Sequence, residues 1–342
     1  MKFHIVKFGG RPLMAFPSSE TLPVSLRAAA IRCFPEHTGK KRLVKKSLHR
    51  LSSLGLLTWI YPARENFHEG LSGNEFENWF VNLARQLDRA EIFPVLVWPG
   101  DPNRGRIYIY LLDTEGEPFG FCKLALDEKN NRLIEKEEKA LGHLKSMQLR
   151  SFRIPRLLNC GDFSGFRHLV VETTPSNARA IHWGEGADLT PMIDEFSGHP
   201  RLIGREEIET LNWWSAMKQT LEHRTSLWRV INASVDDGVE VCRVHGDLNR
   251  TNVLLHGDEH WLLDWEQSHE NGPYLTDRMC CEVDAIWLET PEDSKGNLKK
   301  LQMKVPMLRD EKTRGPSVLA LAFLGSAGFT PALAILTELF PE

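Results

Sequence analysis

The pattern of apolar and polar residues predicts an α+β fold: a small antiparallel β lobe, a larger helical lobe and a helical N-terminal extension. Three observations lead there. Residues 93–126 read as three β-rich runs joined by polar turns, followed by a charged helical pattern at 131–146. Helical periodicity dominates from about residue 184 onward. One short β-rich block, 241–265, interrupts those helices.

The elements follow in order. Residues 1–92 show a helical pattern after Ser25 and a strongly basic one carrying Lys40, Lys41, Arg42, Lys45, Lys46, His49 and Arg50 beside Leu43, Val44, Leu48, Leu51 and Leu54. A third runs over 74–90 with Phe76, Trp79, Phe80, Leu83 and Leu87 on one side. For the basic helix, packing on its leucines ranks above contact with an acidic membrane surface. In the β lobe the strands are 93–98, 106–112 and 119–126, with further strands at 156–158 and 167–172. The connector Pro175-Ser176-Asn177 then sets lobe boundaries of 93–175 and 176–342. The longest helical pattern beyond it spans 206–231.

Composition excludes some classes of function. The chain has 342 residues, 42% hydrophobic and 26% charged, with a net charge of −4. It carries no global basic field, so nucleic acid is not an expected partner. Cys33, Cys122, Cys160, Cys242, Cys280 and Cys281 show no C-x-x-C spacing, which fits reduced thiols in a cytoplasmic protein. No signal-peptide pattern opens the chain. Residues 315–337 carry no charge, but Gly325, Gly328 and Pro331 interrupt them, so two short buried helices are expected there rather than a membrane span.

The chemistry concentrates at Val244-His245-Gly246-Asp247-Leu248-Asn249-Arg250-Thr251-Asn252-Val253-Leu254-Leu255, followed by Trp261-Leu262-Leu263-Asp264-Trp265-Glu266. The two apolar runs flank the turn His256-Gly257-Asp258-Glu259. A hairpin there brings Asn252 and Asp264 to one end, with Asp247 on the loop leading in. An Asn and an Asp in that place suit Mg2+, a hard cation that takes oxygen ligands and keeps phosphates in its shell. Asp247 is then left to accept a proton from an attacking hydroxyl.

The pattern H-G-D-x-x-x-x-N, then an apolar strand and D-W-E, resembles the aminoglycoside phosphotransferase/choline kinase family over roughly residues 93–342. Gly272-Pro273-Tyr274-Leu275-Thr276-Asp277 also looks like the family's segment, in which an aspartate buttresses the site. The resemblance implies a two-lobed protein-kinase-like fold that binds ATP and Mg2+ and moves the γ-phosphate to a hydroxyl of a small molecule. By that resemblance Asp247 is the catalytic base, and Asn252 and Asp264 hold the metal. His245 and Asp277 shape the loop, and Glu266 is second shell or faces the substrate. Gly246 stands where protein kinases usually carry an arginine that reads phosphorylation, which tilts the acceptor toward metabolites.

The fold also requires a strand lysine on the phosphates, paired with a helix glutamate. Lys123 is the one charge in an apolar strand, and lysine is rarely buried unless paired. Glu137 shares a helix face with Leu141 and Leu144 and is preferred to Glu138 and Glu135. The phosphate loop is expected between the first two strands at 100–106, with Gly100 and Gly105 approaching nucleotide through backbone amides. It lacks the G-K-[ST] ending of a Walker loop. The adenine is expected against the connector after residues 170–174, held by backbone groups. Two rival readings are a non-catalytic nucleotide-binding protein and a kinase with a protein acceptor. The acceptor itself and the oligomeric state are not legible in the chain.

Overall fold

A computed structural model describes residues 2–8, 10–18, 24–33, 39–53, 60–64, 73–99, 104–181, 188–289, 293–310 and 314–341. Gly100 and most of the expected phosphate loop lie outside the described residues. The chain divides into two compact units. One is Met1–Glu138 with Pro155–Thr173, and the other is Lys139–Ile154 with Thr174–Glu342.

The first unit is built on an eight-stranded antiparallel sheet. Its strands are β1 (Phe3–Phe8), β2 (Arg11–Pro17), β3 (Ala63–Arg64), β4 (Phe93–Val97), β5 (Arg106–Leu112), β6 (Pro118–Ala125), β7 (Leu157–Phe163) and β8 (Phe166–Glu172). Their order is β3-β1-β2-β4-β5-β6-β8-β7. Alternate residues take opposite faces, as strand geometry requires. Phe3, Ala15, Leu96, Ile107, Ile109 and Leu124 pack under helix α3 (Gly73–Gln86) through Phe76, Trp79, Phe80 and Leu83. Val6, Met14, Phe16, Val95 and Val97 pack on the other side with Ala29, Ala30 and Ile31 of α1 (Val24–Arg32) and Leu48 of α2 (Gly39–Ser53). The β7–β8 hairpin turns on Ser164 and Gly165, both in the left-handed region (φ 50° and 83°), the backbone a tight right-twisted hairpin favours.

The N-terminal extension corrects the sequence reading. Helices alone were expected over 1–92, yet β1 and β2 form a hairpin whose second strand pairs with β4. Both strands are covered on both faces, so they lack the in-out alternation that marks a half-buried strand. The pattern at 206–231 is likewise not one helix but three: α6 (Arg205–Glu209), α7 (Asn212–Leu221) and α8 (Thr225–Ala233). Thr210 bonds its hydroxyl back to the Glu207 carbonyl, and Leu211 is extended, which ends the first.

In the second unit, the charged helix α4 (Glu128–Ser146) continues in from the first. A helix α5 (Thr190–Ser197) follows, and α9 (Thr276–Glu289), α10 (Ser294–Lys304), α11 (Gly315–Ser326) and α12 (Thr330–Leu339) complete the helical part. The uncharged stretch forms α11 and α12. Ser317 to Gly325 are all buried, and α11 packs on α7, α8, α9 and α12, so an all-round apolar helix serves as core. Among the described residues no helix is long and apolar enough to cross a membrane. Two three-stranded sheets position the candidate site. They are β10 (Arg201–Ile203), β11 (Val239–Val244) and β14 (His269–Pro273) in the order β10-β11-β14, and β9 (Arg179–Ala180), β12 (Val253–His256) and β13 (Glu259–Leu262) in the order β13-β12-β9.

Phe76 is fully buried and meets Phe3, Trp79, Phe80 and Phe163 at ring separations of 4.6–5.8 Å. It therefore ties the N-terminal strands to the rest of the sheet. Phe76→Ala is expected to lower stability by about 3–5 kcal/mol. A urea midpoint unchanged in that variant would show that residues before β4 fold apart from the sheet.

Candidate active site

Strand β11 delivers the chain into the loop at His245. The loop owes its shape to Asp277, at the start of α9. The Asp277 carboxylate accepts the N–H of His245 (2.7 Å) and the N–H of Gly246 (2.9 Å). Asp277 is 1% exposed, and burial pushes its carboxyl up to about 7, while the two amides pull the other way. Gly246 has φ +79°, and a Cβ there would lie 2.4 Å from the Gln267 carbonyl oxygen, so glycine is a steric requirement.

His245 is fully buried, its ring 4.6 Å from that of Trp265. Nε2 lies 2.8 Å from the Leu263 carbonyl, which only accepts, so Nε2 carries the proton. Nδ1 is then an acceptor for the Asp247 N–H at 3.3 Å. The side chain fastens the loop to the strand end before Asp264, a structural task.

Asp247 has an amide donor at each carboxylate oxygen. Asn249 Nδ2 donates to Oδ1 at 2.8 Å, and Asn252 Nδ2 donates to Oδ2 at 3.0 Å and to the Asp247 carbonyl at 2.8 Å. Asn249 is itself held, because its Oδ1 accepts the Thr251 N–H and hydroxyl. Burial pushes the Asp247 carboxyl up to about 6, Asn249 and Asn252 lower it, and Asp264 and Glu266 raise it. Asn252 immediately precedes β12. The β12–β13 register pairs Val253 with Leu262, and the Leu263 N–H donates to the Asn252 carbonyl at 2.9 Å. The hairpin thereby sets Asn252 beside the exit toward Asp264.

Asp264 sits in the left-handed region (φ 63°), directly before a 3-10 turn at Trp265–Gln267. Its carboxylate and that of Glu266, which is buried, have oxygens within 4.8 Å of each other. With the Asn252 Nδ2 turned to Asp247, its Oδ1 remains as an oxygen donor. Two neighbouring acids and an amide oxygen fit a hard divalent cation.

In the sheet unit, Lys123 Nζ lies 2.6 Å from Glu137 Oε2, and both side chains are less than a tenth exposed. Glu138, the sequence's second choice, instead accepts from Arg167 and from Cys160 Sγ. Gly105 is in the left-handed region (φ +55°), and a Cβ there would lie 1.7 Å from Asp127 Oδ2. Its Cβ side is therefore filled by protein. All six cysteines are free.

Sequence reasoning assigned no role to Asn249 and did not foresee the bond by which Asp284 holds the loop. The first is an ordinary polar residue inside the motif, and its donation to Asp247 depends on an Asx turn. The second caps the loop by accepting the Arg250 N–H at 3.1 Å from seven residues beyond Asp277, a distance no local pattern reveals.

A family model described as the RIO domain, which is protein-kinase-like, matches residues 201–276. That stretch is well under half of the chain, but it holds β11, the loop, the hairpin, Asp264 and β14. No curated protein sequence matches significantly. Among solved structures, the chain is similar to a thermostable mutant of aminoglycoside phosphotransferase APH(4)-Ia in ternary complex with ADP and hygromycin B, at 13% identity over 76% of this chain and 96% of that one, TM-score 0.47. It is also similar to an aminoglycoside-3'-phosphotransferase of type VIII, at 17% identity over 71% and 98%, TM-score 0.45. The sheet unit with its buried Lys–Glu pair and the helical unit with its loop and hairpin make the fold protein-kinase-like.

Two outcomes follow from the loop. Gly246→Ala must take an L-residue into the left-handed region and move the Gln267 carbonyl, so unfolding stability should fall by about 1–3 kcal/mol. An unchanged urea midpoint would contradict the conformation described. Asp277 has a folded-state value raised from 3.8 to about 7, so its contribution is greatest at low pH and is lost as pH rises through that window. Comparing urea stability against pH in wild type and Asp277→Asn tests this, and parallel curves would refute it.

Proposed function

We propose that the chain is an ATP-dependent phosphotransferase that moves the γ-phosphate to a hydroxyl of a small molecule, with Asp247 as catalytic base. The observation that carries the reading is the Asp247 carboxylate, held at both oxygens by Asn249 and Asn252, on the loop before a hairpin that ends at Asp264. A fixed carboxylate with an upshifted value suits a group that must orient a hydroxyl and take its proton as the new O–P bond forms. Asn252 and Asp264 would hold Mg2+, with Glu266 beside them. The ion, when bound, neutralises and bridges phosphate oxygens. Lys123, kept in place by Glu137, offers its ammonium to phosphate oxygens of the nucleotide. His245 and Asp277 keep the loop in shape and take no part in proton transfer.

One observation favours a second reading, a kinase with a protein acceptor: the RIO-domain match over 201–276. The segment after Asp264 speaks against it. Residues 265–276 are a 3-10 turn, a strand paired with β11 and the first residue of α9, so no long loop for docking a polypeptide intervenes.

The test measures ADP release with Mg·ATP against hydroxylated small molecules and against peptide acceptors. Turnover should depend on a small acceptor, vanish with a chelator, and fall by about 10²–10⁴-fold in Asp247→Asn. Equal rates for wild type and Asp247→Asn on every acceptor would sink the reading. Transfer confined to peptides would select the second one.

A further inference from the structure

Helix α4 carries Glu137, so the Lys123–Glu137 pair depends on how that helix is turned against the sheet. Lys123 and Arg106 lie on the same sheet face. Tyr108 pairs across the strands with Lys123, and Arg106 pairs with Ala125 two residues on. Both cations are buried, Arg106 at 4% exposure and Lys123 at 6%. On the helix, Asn130, Ile134 and Glu137 are spaced i, i+4, i+7 and are all buried, so they form one stripe.

The two polar members of that stripe each meet one of the two cations. Lys123 Nζ meets Glu137 Oε2 at 2.6 Å, and Arg106 Nε donates to Asn130 Oδ1 at 2.8 Å. The sites are separated by two helical turns, a rise of about 10 Å. The upper one is over-determined. Asp127 Oδ1 accepts both the Asn130 N–H (2.7 Å) and Asn130 Nδ2 (2.8 Å), which is a helix N-cap and a side-chain clamp on one residue. Asp127 itself sits where a Gly105 Cβ would be, and the Leu126 N–H donates to the Gly105 carbonyl at 2.8 Å. The start of β5 and the start of α4 are thus one unit. A helix fixed at one point can rotate about it, whereas a helix fixed at two points on one stripe cannot.

We infer that Asn130, through its bond from Arg106, is a positioning residue that orients α4 so that Glu137 holds Lys123 for the nucleotide's phosphates. This rests on the phosphotransferase reading. Replacing Asn130 with leucine keeps the branching at Cγ but removes the acceptor and the clamp, so the helix is free to turn.

The experiment titrates Mg·AMP-PNP by calorimetry into wild type, Asn130→Leu, Glu137→Gln, the double variant and Ile134→Val. Urea midpoints are measured alongside. Ile134 lies between the two fixed points and makes no polar contact, so Ile134→Val controls for lost stability alone. Asn130→Leu should weaken nucleotide binding by roughly five- to thirty-fold. The double variant should be no weaker than the worse single one, because both remove the same arrangement. Ile134→Val should lower the midpoint and leave the Kd unchanged. A Kd within twofold of wild type in Asn130→Leu overturns the inference, as do effects that multiply in the double variant or an Ile134→Val as weak as Asn130→Leu. A wild type that binds no nucleotide would instead remove the phosphotransferase reading, and this inference with it.

Discussion

One buried carboxylate governs the shape of the loop that carries Asp247. Asp277 accepts two consecutive backbone N–H groups, those of His245 and Gly246, at a place closed to water. Two buried amides turned the same way need an acceptor, and a lone carboxylate needs donors, so each relieves the desolvation of the other. The arrangement requires the left-handed turn at Gly246, and that turn aims Asp247 away from the strand. The buried His245 then spans from the loop to the Leu263 carbonyl, so the loop and the strand end before Asp264 are tied together.

The helical core supports the same point from below. Phe323 of α11 sets its ring edge-on to His269 of β14 and to Trp213 of α7, and the Trp213 indole N–H donates to the Asn271 carbonyl at 2.7 Å. Strand β14 pairs with β11, which leads into the loop. Packing of an uncharged helix thus reaches Asp247 through one strand pair. Trp265 closes the other side, fully buried against Phe152 and Phe196. In the sheet unit the corresponding constraint is ionic. Lys123 is buried where Glu137 meets it, and Glu137 lies on the stripe of α4 that faces the sheet.

Much of this was legible locally. The spacing of Asp247, Asn252 and Asp264 is read along a hairpin, where register follows from turn length and apolar pattern. Lys123 stood out as a lone charge in an apolar strand, and Glu137 as the acid on the apolar stripe. Less visible were contacts made by residues that carry no pattern. Asn249 and Asp284 act through bonds that depend on backbone conformation. Strands β1 and β2 are covered on both faces, so their residues do not alternate, and helices α1 to α3 dominate the reading of that region. The Thr210–Leu211 break depends on one hydroxyl bond that periodicity does not register.

The sequence by itself determined which groups gather at the candidate site, because loop, hairpin and strand place them by short-range spacing. It also determined the buried character of α11 and α12, since a charge-free run broken by glycine and proline has few other homes. Only the tertiary structure decided where the first hairpin docks, which two backbone N–H groups Asp277 accepts and which side chain meets Arg106. Those outcomes rest on contacts between residues far apart in the chain, such as Asp277 with His245, Phe3 with Phe76 and Arg106 with Asn130. Long-range partners are chosen by complementarity of shape and charge as the chain folds, and short-range periodicity does not contain them.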